Sequence, residues 1–131
     1  MTLVLDTSVI IDIEQRKEST LQQLSTLASV HPMPAKITFV NEFEFLFGLK
    51  EKSPKNKEKA VIVLKKFGVL HTTKNTAEIL SDLKYKYEKT GKTLPLADIL
   101  IAALVIENNM VFVTKDRDFE HIEELKKNFL V

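Results

Sequence analysis

Residues Ile99–Ile106 are apolar without interruption, within the stretch LPLADILIAALVIENN. A helix built from such a run has to be covered by other parts of the chain on nearly every side. At eight residues it falls well short of the roughly 18 that a membrane-spanning helix needs. Pro95 opens this helix and Asn108-Asn109 closes it, and Met110–Val113 then reads as a buried strand. One residue is out of keeping with burial. Asp98 puts a carboxylate at the head of the run, which costs free energy unless something compensates it.

The remainder of the chain can provide the cover. The 131 residues are 44% hydrophobic and 28% charged, the balance of an ordinary globular domain, and no linker divides them, so one domain over residues 1–131 is expected. Leu3–Leu5 is a short apolar run that ends at Asp6 and reads as a strand. Thr7 or Ser8 can cap a helix carrying Val9, Ile10 and Ile13. Helical spacing recurs over Ser19–Ala28, Phe39–Leu49, the segment opened by Ser53-Pro54, and Thr76–Lys89, which Gly91 closes. Lys36–Thr38 and Val69–His71 read as further short strands, and a short amphipathic tail follows the polar turn TKDRDF. Short apolar strands alternating with helices imply an α/β fold, with a parallel sheet covered on both faces.

Several functions are excluded or constrained. There is no cysteine, hence no disulfide and no thiolate chemistry. The opening MTLVLDTSVIIDIEQRK has no leading positive cluster and carries Asp6 and Asp12 in its apolar part, so no signal peptide is expected and a cytoplasmic address is. Net charge is +1, so a nucleic-acid partner would require a local basic patch. His31, His71 and His121 have no mutual spacing that suggests acid–base catalysis.

The acids are more informative. Asp6 stands at the carboxyl end of the first strand, and Asp116 lies just past the end of the strand Met110–Val113. In open parallel sheets, ligands bind in the crevice outside those ends. Asp98, in the first turn of its helix, opens onto the same rim, and a glutamate of the 39–49 helix is a candidate fourth. Carboxylates packed together raise one another's pKa. A divalent cation with a preference for hard oxygen ligands, Mg²⁺ or Mn²⁺, resolves that conflict and can activate water against a phosphodiester.

Four stretches, in order, resemble the PIN-domain family and most of all its compact VapC-type toxin branch. LVLDTSVIIDI resembles the opening strand, with Asp6 as first acid and Ser8 beside it; ITFVNEFEFLFG resembles the segment whose glutamate precedes glycine by four residues, which selects Glu44 over Glu42. LPLADILIAALVIENN supplies Asp98, and VFVTKDRDFEHI resembles the closing strand and turn, with Thr114, Asp116 and Asp118. The resemblance implies a three-layer α/β/α fold around a short-stranded parallel sheet, and a Mg²⁺- or Mn²⁺-dependent endoribonuclease leaving 5′-phosphate and 3′-hydroxyl ends. It also implies a homodimer and a small antitoxin partner. On this reading Asp6, Glu44, Asp98 and Asp116 are catalytic and hold metal, with Asp118 as an auxiliary ligand. Ser8 and Thr114 would donate hydrogen bonds that orient Asp6 and Asp116. Lys89, Lys92, Lys115 and Arg117 are the expected RNA phosphate contacts. Phe39, Phe43, Phe45 and Phe47 are expected in the core and the dimer interface. Two other readings compete: a catalytically inactive interaction module with the same fold, and a phosphoacceptor signalling domain. The latter expects an early acidic pair and a central aspartate ending a middle strand, but Asp6 is followed by Thr7, and Val69-Leu70 by His71-Thr72.

Overall fold

A computed structural model describes residues 1–131. The first strand, β1 (Leu3–Leu5), leads through α1 (Thr7–Glu14) and α2 (Glu18–Val30) to β2 (Lys36–Thr38). Two more helices, α3 (Phe39–Gly48) and α4 (Pro54–Leu64), precede β3 (Gly68–Leu70). The chain then returns through α5 (Thr76–Lys89) and α6 (Leu96–Glu107) to β4 (Val111–Thr114), a 3₁₀ turn at Arg117–His121, and β5 (Lys127–Phe129). The sheet order is β3-β2-β1-β4-β5, with every pairing parallel. Strand order therefore reverses at β1, which has β2 on one side and β4 on the other. The crevice at the carboxyl ends of β1 and β4 is the switch point at which such sheets bind ligands.

Alternation along the strands divides the interior between two faces. Leu3, Leu5, Val111 and Val113 pack with Val9 and Ile10 of α1, Phe45 of α3, and Ala60 and Leu64 of α4. Val4 and Phe112 pack on the other face with Leu83 and Tyr87 of α5 and with Ile99, Ile101, Ala102, Ala103 and Val105 of α6. The result is the expected three-layer α/β/α arrangement. It also explains the uninterrupted apolar run: Ile101–Val105 are all buried, because α6 lies between α5 and the sheet. No helix is long and apolar enough to cross a membrane.

Local signals account for most boundaries. Ser53 accepts the Asn56 N–H as the N-cap of α4 and Pro54 takes the first turn, where a missing N–H costs nothing. Gly91, at φ +78°, follows the C-cap of α5 in the left-handed region that glycine tolerates. Two readings need correction. The cap of α1 is Asp6 itself, whose side chain accepts the Thr7 N–H, rather than Thr7 or Ser8. Met110–Val113 is not the last strand: the tail returns as β5, which covers the edge of β4 through the pairs Phe112↔Lys127, Val113↔Asn128 and Thr114↔Phe129.

Candidate active site

The topology brings four acids from four parts of the chain to one crevice. Asp6, Glu44, Asp98 and Asp116 line a cavity of about 310 Å³ together with Thr7, Ser8, Ile101 and Phe119. Asp6 and Asp116 come from the ends of the adjacent strands β1 and β4, Asp98 from the first turn of α6, and Glu44 from α3.

Asp6 is 8% exposed and held on both oxygens. Its Oδ1 accepts from the Thr7 N–H at 2.8 Å and from Asn41 Nδ2 at 3.2 Å, and its Oδ2 from Thr114 Oγ1 at 2.6 Å. Burial raises its pKa; the Thr114 and Thr7 hydrogen bonds oppose that, and the charges of Glu44 and Asp116 add to it. Asn41, fully buried, carries the network further. Its Nδ2 also reaches Thr7 Oγ1 at 3.1 Å, and its Oδ1 accepts from Thr38 Oγ1 at 2.7 Å; the capping box of α3 is completed by the Thr38 N–H donating to Asn41 Oδ1 and the Asn41 N–H to Thr38 Oγ1, each at 3.2 Å. Thr7 Oγ1 in turn donates to Glu44 Oε1 at 2.7 Å. One chain of hydrogen bonds thus runs from the start of α3 through Asn41 and Thr7 to two of the four acids.

Asp98 and Asp116 are less constrained. Asp116 Oδ1 accepts the Asp118 N–H at 2.9 Å, and the Asp116 N–H donates to Thr114 Oγ1 at 2.9 Å. Asp98 is half-buried, and its pKa is pushed up to about 6 by burial first and then by the charges of Asp116, Asp6, Glu44 and Asp118. None of the molecule's salt bridges involves any of these acids.

Several sequence expectations change here. Ser8 does not orient Asp6: its Oγ is buried at the crevice without a hydrogen-bond partner, because the Thr7 N–H, Asn41 and Thr114 already hold that carboxylate. Thr114 donates to Asp6, but it meets Asp116 only by accepting its backbone N–H. Asp118 is outside the crevice lining and acts on Asp98 through its charge alone. None of the four basic residues lines the crevice either. Lys89 lies 5.2 Å from the Tyr85 ring, and Arg117 sits 4.4 Å above Phe129 with Glu120 at 3.8 Å. Lys92 is exposed and borders a separate small cavity beside Tyr87 and Leu94. The Lys115 ammonium is 2.5 Å from Asp12. Burial would raise the pKa of Asp12, but hydrogen bonds from Lys115 and Thr20 and the charges of Lys115 and Lys17 outweigh it and lower it. Glu42 lies away from the crevice, bordering a groove with Phe39, Phe43 and His71.

With these side-chain positions, no three carboxylates are grouped closely enough to enclose an ion. The donor set nevertheless fits a hard divalent cation. It offers four carboxylates with no paired cation, one of them pushed up to about 6 by burial and then by its neighbours' charge, and a buried serine oxygen without a hydrogen-bond partner. A parallel α/β/α sheet whose switch-point crevice is lined by four such acids has the build of a cation-assisted site for an anionic ligand.

The comparisons agree with that fold. The family model described as PIN domain matches residues 3–125, and the chain belongs to that family. Among solved structures of the same fold, VapBC2 from Rickettsia felis, bound to a DNA fragment from its promoter, superposes with a TM-score of 0.87 at 22% identity, covering 100% of both chains. VapBC-1 from nontypeable Haemophilus influenzae gives 0.81 at 18% identity over 98% of each chain. VapBC-5 of Mycobacterium tuberculosis, a member of the VapBC family of toxin–antitoxin systems, gives 0.73 at 19%, with 99% of this chain and 100% of that one covered. No curated protein matches the chain in sequence.

Asn41 and Thr7 are the site residues that sequence reasoning missed. The available signal was the Thr38-x-x-Asn41 spacing of a capping box, which places a polar side chain at the start of a helix otherwise built for burial.

Proposed function

We propose that this chain is a divalent-metal-dependent endoribonuclease and the toxin of a toxin–antitoxin pair. One observation carries the reading: Asp6, Glu44, Asp98 and Asp116 line one crevice, unpaired with any cation, where burial and then the charge of its neighbours raise Asp98. Family membership favours this over a phosphoacceptor domain. Mg²⁺ or Mn²⁺ would be held by these four carboxylates, with Asp118 contributing charge from just outside. When bound, such an ion supplies an activated water for in-line attack on a phosphodiester and balances charge on the leaving oxygen.

The chain's own residues do the rest. Thr114, Asn41 and the Thr7 N–H hold and aim the Asp6 carboxylate, and the Thr114 and Thr7 hydrogen bonds oppose the rise in pKa that its burial causes. Thr7 holds Glu44 through its hydroxyl. Asp98, raised to about 6, becomes protonated as pH drops through that value, so its contribution to holding a cation would be lost there. The products carry a 5′ phosphate and a 3′ hydroxyl.

Two partner surfaces accompany this reading. On α3, Phe43 and Phe47 are 62% and 67% exposed and stack on each other at 6.0 Å, an apolar patch suited to a second copy of the chain. A groove of about 830 Å³ beside α1, α2 and α4 offers Ile13, Leu21, Ile62 and Val63 between Arg16, Lys59 and Lys66, which outnumber its one acid, Glu14. That combination fits an antitoxin segment with apolar and acidic side chains.

The test is cleavage of single-stranded RNA with Mg²⁺ or Mn²⁺, with EDTA, and with Asp98→Asn. Cation-dependent cutting that EDTA and the substitution both abolish is expected. Cutting that resists chelation removes the metal, and no cutting under any condition favours the inactive interaction module.

A further inference from the structure

Asp12, on α1, is only 3% exposed and is not part of the crevice. Its Oδ2 accepts from Thr20 Oγ1 of α2 at 2.6 Å and from Lys115 Nζ at 2.5 Å, while Lys17 Nζ stands 3.8 Å from Oδ1. Lys115 occupies the position between two residues of the site. Thr114 turns inward to Asp6 Oδ2, and Asp116 follows as one of the four acids. Lys115 lies in the bend just past β4, and its side chain goes to Asp12 of α1 while that of Thr114 goes to Asp6. The end of β4 is thus fastened from both sides, to Asp6 by Thr114 and to Asp12 by Lys115. The pair also decides where a positive charge sits. One residue from Asp116, an ammonium without Asp12 would be drawn toward four carboxylates that have no cation of their own.

We propose that Asp12 and Lys115 are positioning residues of the metal centre: their ion pair fixes the strand end that presents Asp116 and keeps the lysine's charge out of the acidic crevice. This rests on the metal-dependent reading above, and it takes Lys115 out of the set of RNA phosphate contacts.

The test measures Mn²⁺ affinity of the full chain by calorimetry, beside binding of a single-stranded RNA oligonucleotide in EDTA. The variants are Lys115→Met, Asp12→Asn, the double variant and Lys115→Arg. Lys115→Met and Asp12→Asn are each expected to weaken Mn²⁺ binding by about tenfold or more, in the range for residues that orient metal ligands. The double variant is expected to be no worse than the weaker single, since both remove one interaction. Lys115→Arg keeps the charge and restores affinity, and RNA binding in EDTA is unchanged throughout. Should Asp12→Asn fail to fold, Lys115→Met decides, since the lysine side chain is 32% exposed and its loss opens no core. Wild-type Mn²⁺ affinity in Lys115→Met, with weakened RNA binding, overturns the proposal and returns the lysine to phosphate contact. A wild-type protein that binds no Mn²⁺ overturns the metal reading itself, and this proposal with it.

Discussion

The charge conflict at Asp98 has a consequence for stability that is opposite in sign to its role in function. Its pKa rises from 3.8 to about 6 on folding, chiefly through burial and then the charge of Asp116. An acid whose pKa is raised by folding opposes folding wherever it is ionised. The penalty is absent below 3.8, grows between 3.8 and about 6, and is complete above that. At about 1.4 kcal/mol for each tenfold change in proton affinity, the rise corresponds to about 3 kcal/mol. Asp98 is half-buried, so solvent screening reduces this to about 1–2 kcal/mol. Asp98→Asn removes the charge at nearly constant shape. In EDTA at pH 7.5 it is expected to stabilise the chain by about 1–2 kcal/mol, a melting-temperature gain of about 3–8 °C for a domain of this size. The gain is expected to shrink toward zero near pH 4. Added Mn²⁺ should reverse the ranking, because binding to the native state stabilises only the protein that can hold the ion. Urea unfolding at pH 4, 5, 6 and 7.5, with EDTA and with Mn²⁺, checks each part. Equal stability of the two proteins at pH 7.5 in EDTA, or a difference that does not change with pH, would refute the reasoning.

Three further substitutions test the supports of the site and fold. Thr114→Val removes the donor to Asp6 Oδ2 and leaves a buried carboxylate oxygen unpaired, for a loss of about 1–3 kcal/mol in urea unfolding at pH 7.5. Asn41→Ala breaks the links to Asp6 and Thr7 along with the α3 capping box; a loss of about 2 kcal/mol is expected by chemical denaturation, together with weaker Mn²⁺ binding by calorimetry. Leu104→Ala, at a fully buried position of α6, is expected to cost about 2–5 kcal/mol in thermal or urea unfolding while leaving Mn²⁺ affinity within about threefold in the folded protein.

Much of this arrangement is legible in the residues because the physics is local. Leu3–Leu5 and Lys36–Thr38 are strands as read, and Thr76–Lys89 is a helix with Leu83 and Tyr87 on its buried face. The position of Asp98 at the head of an apolar helix and of Asp6 and Asp116 beyond strand ends already implied one rim. What escaped the reading depends on contacts distant in sequence. The strand Lys127–Phe129 is half-buried and has no alternation to betray it; it forms because β4 needs a neighbour. Asn41 stands in a largely apolar helix, and its bonds to Asp6 and Thr7, which are distant in sequence, account for its burial there. Lysine side chains are long enough to choose among partners, so Lys115 beside Asp116 could be read as facing RNA until Asp12 was seen to hold it. Ser8 failed for a simpler reason: the backbone N–H one residue earlier already fills the position on Asp6.

Everything functional depends on the acids from the beginning, middle and end of the chain sharing one cation. Crystals grown with MnCl₂ and measured for manganese anomalous scattering test this directly. The expected result is a peak bounded by the carboxylates of Asp6, Asp98 and Asp116, lost in Asp98→Asn crystals. A manganese peak elsewhere with none in this crevice, or one that persists unchanged without the Asp98 carboxylate, would contradict the account.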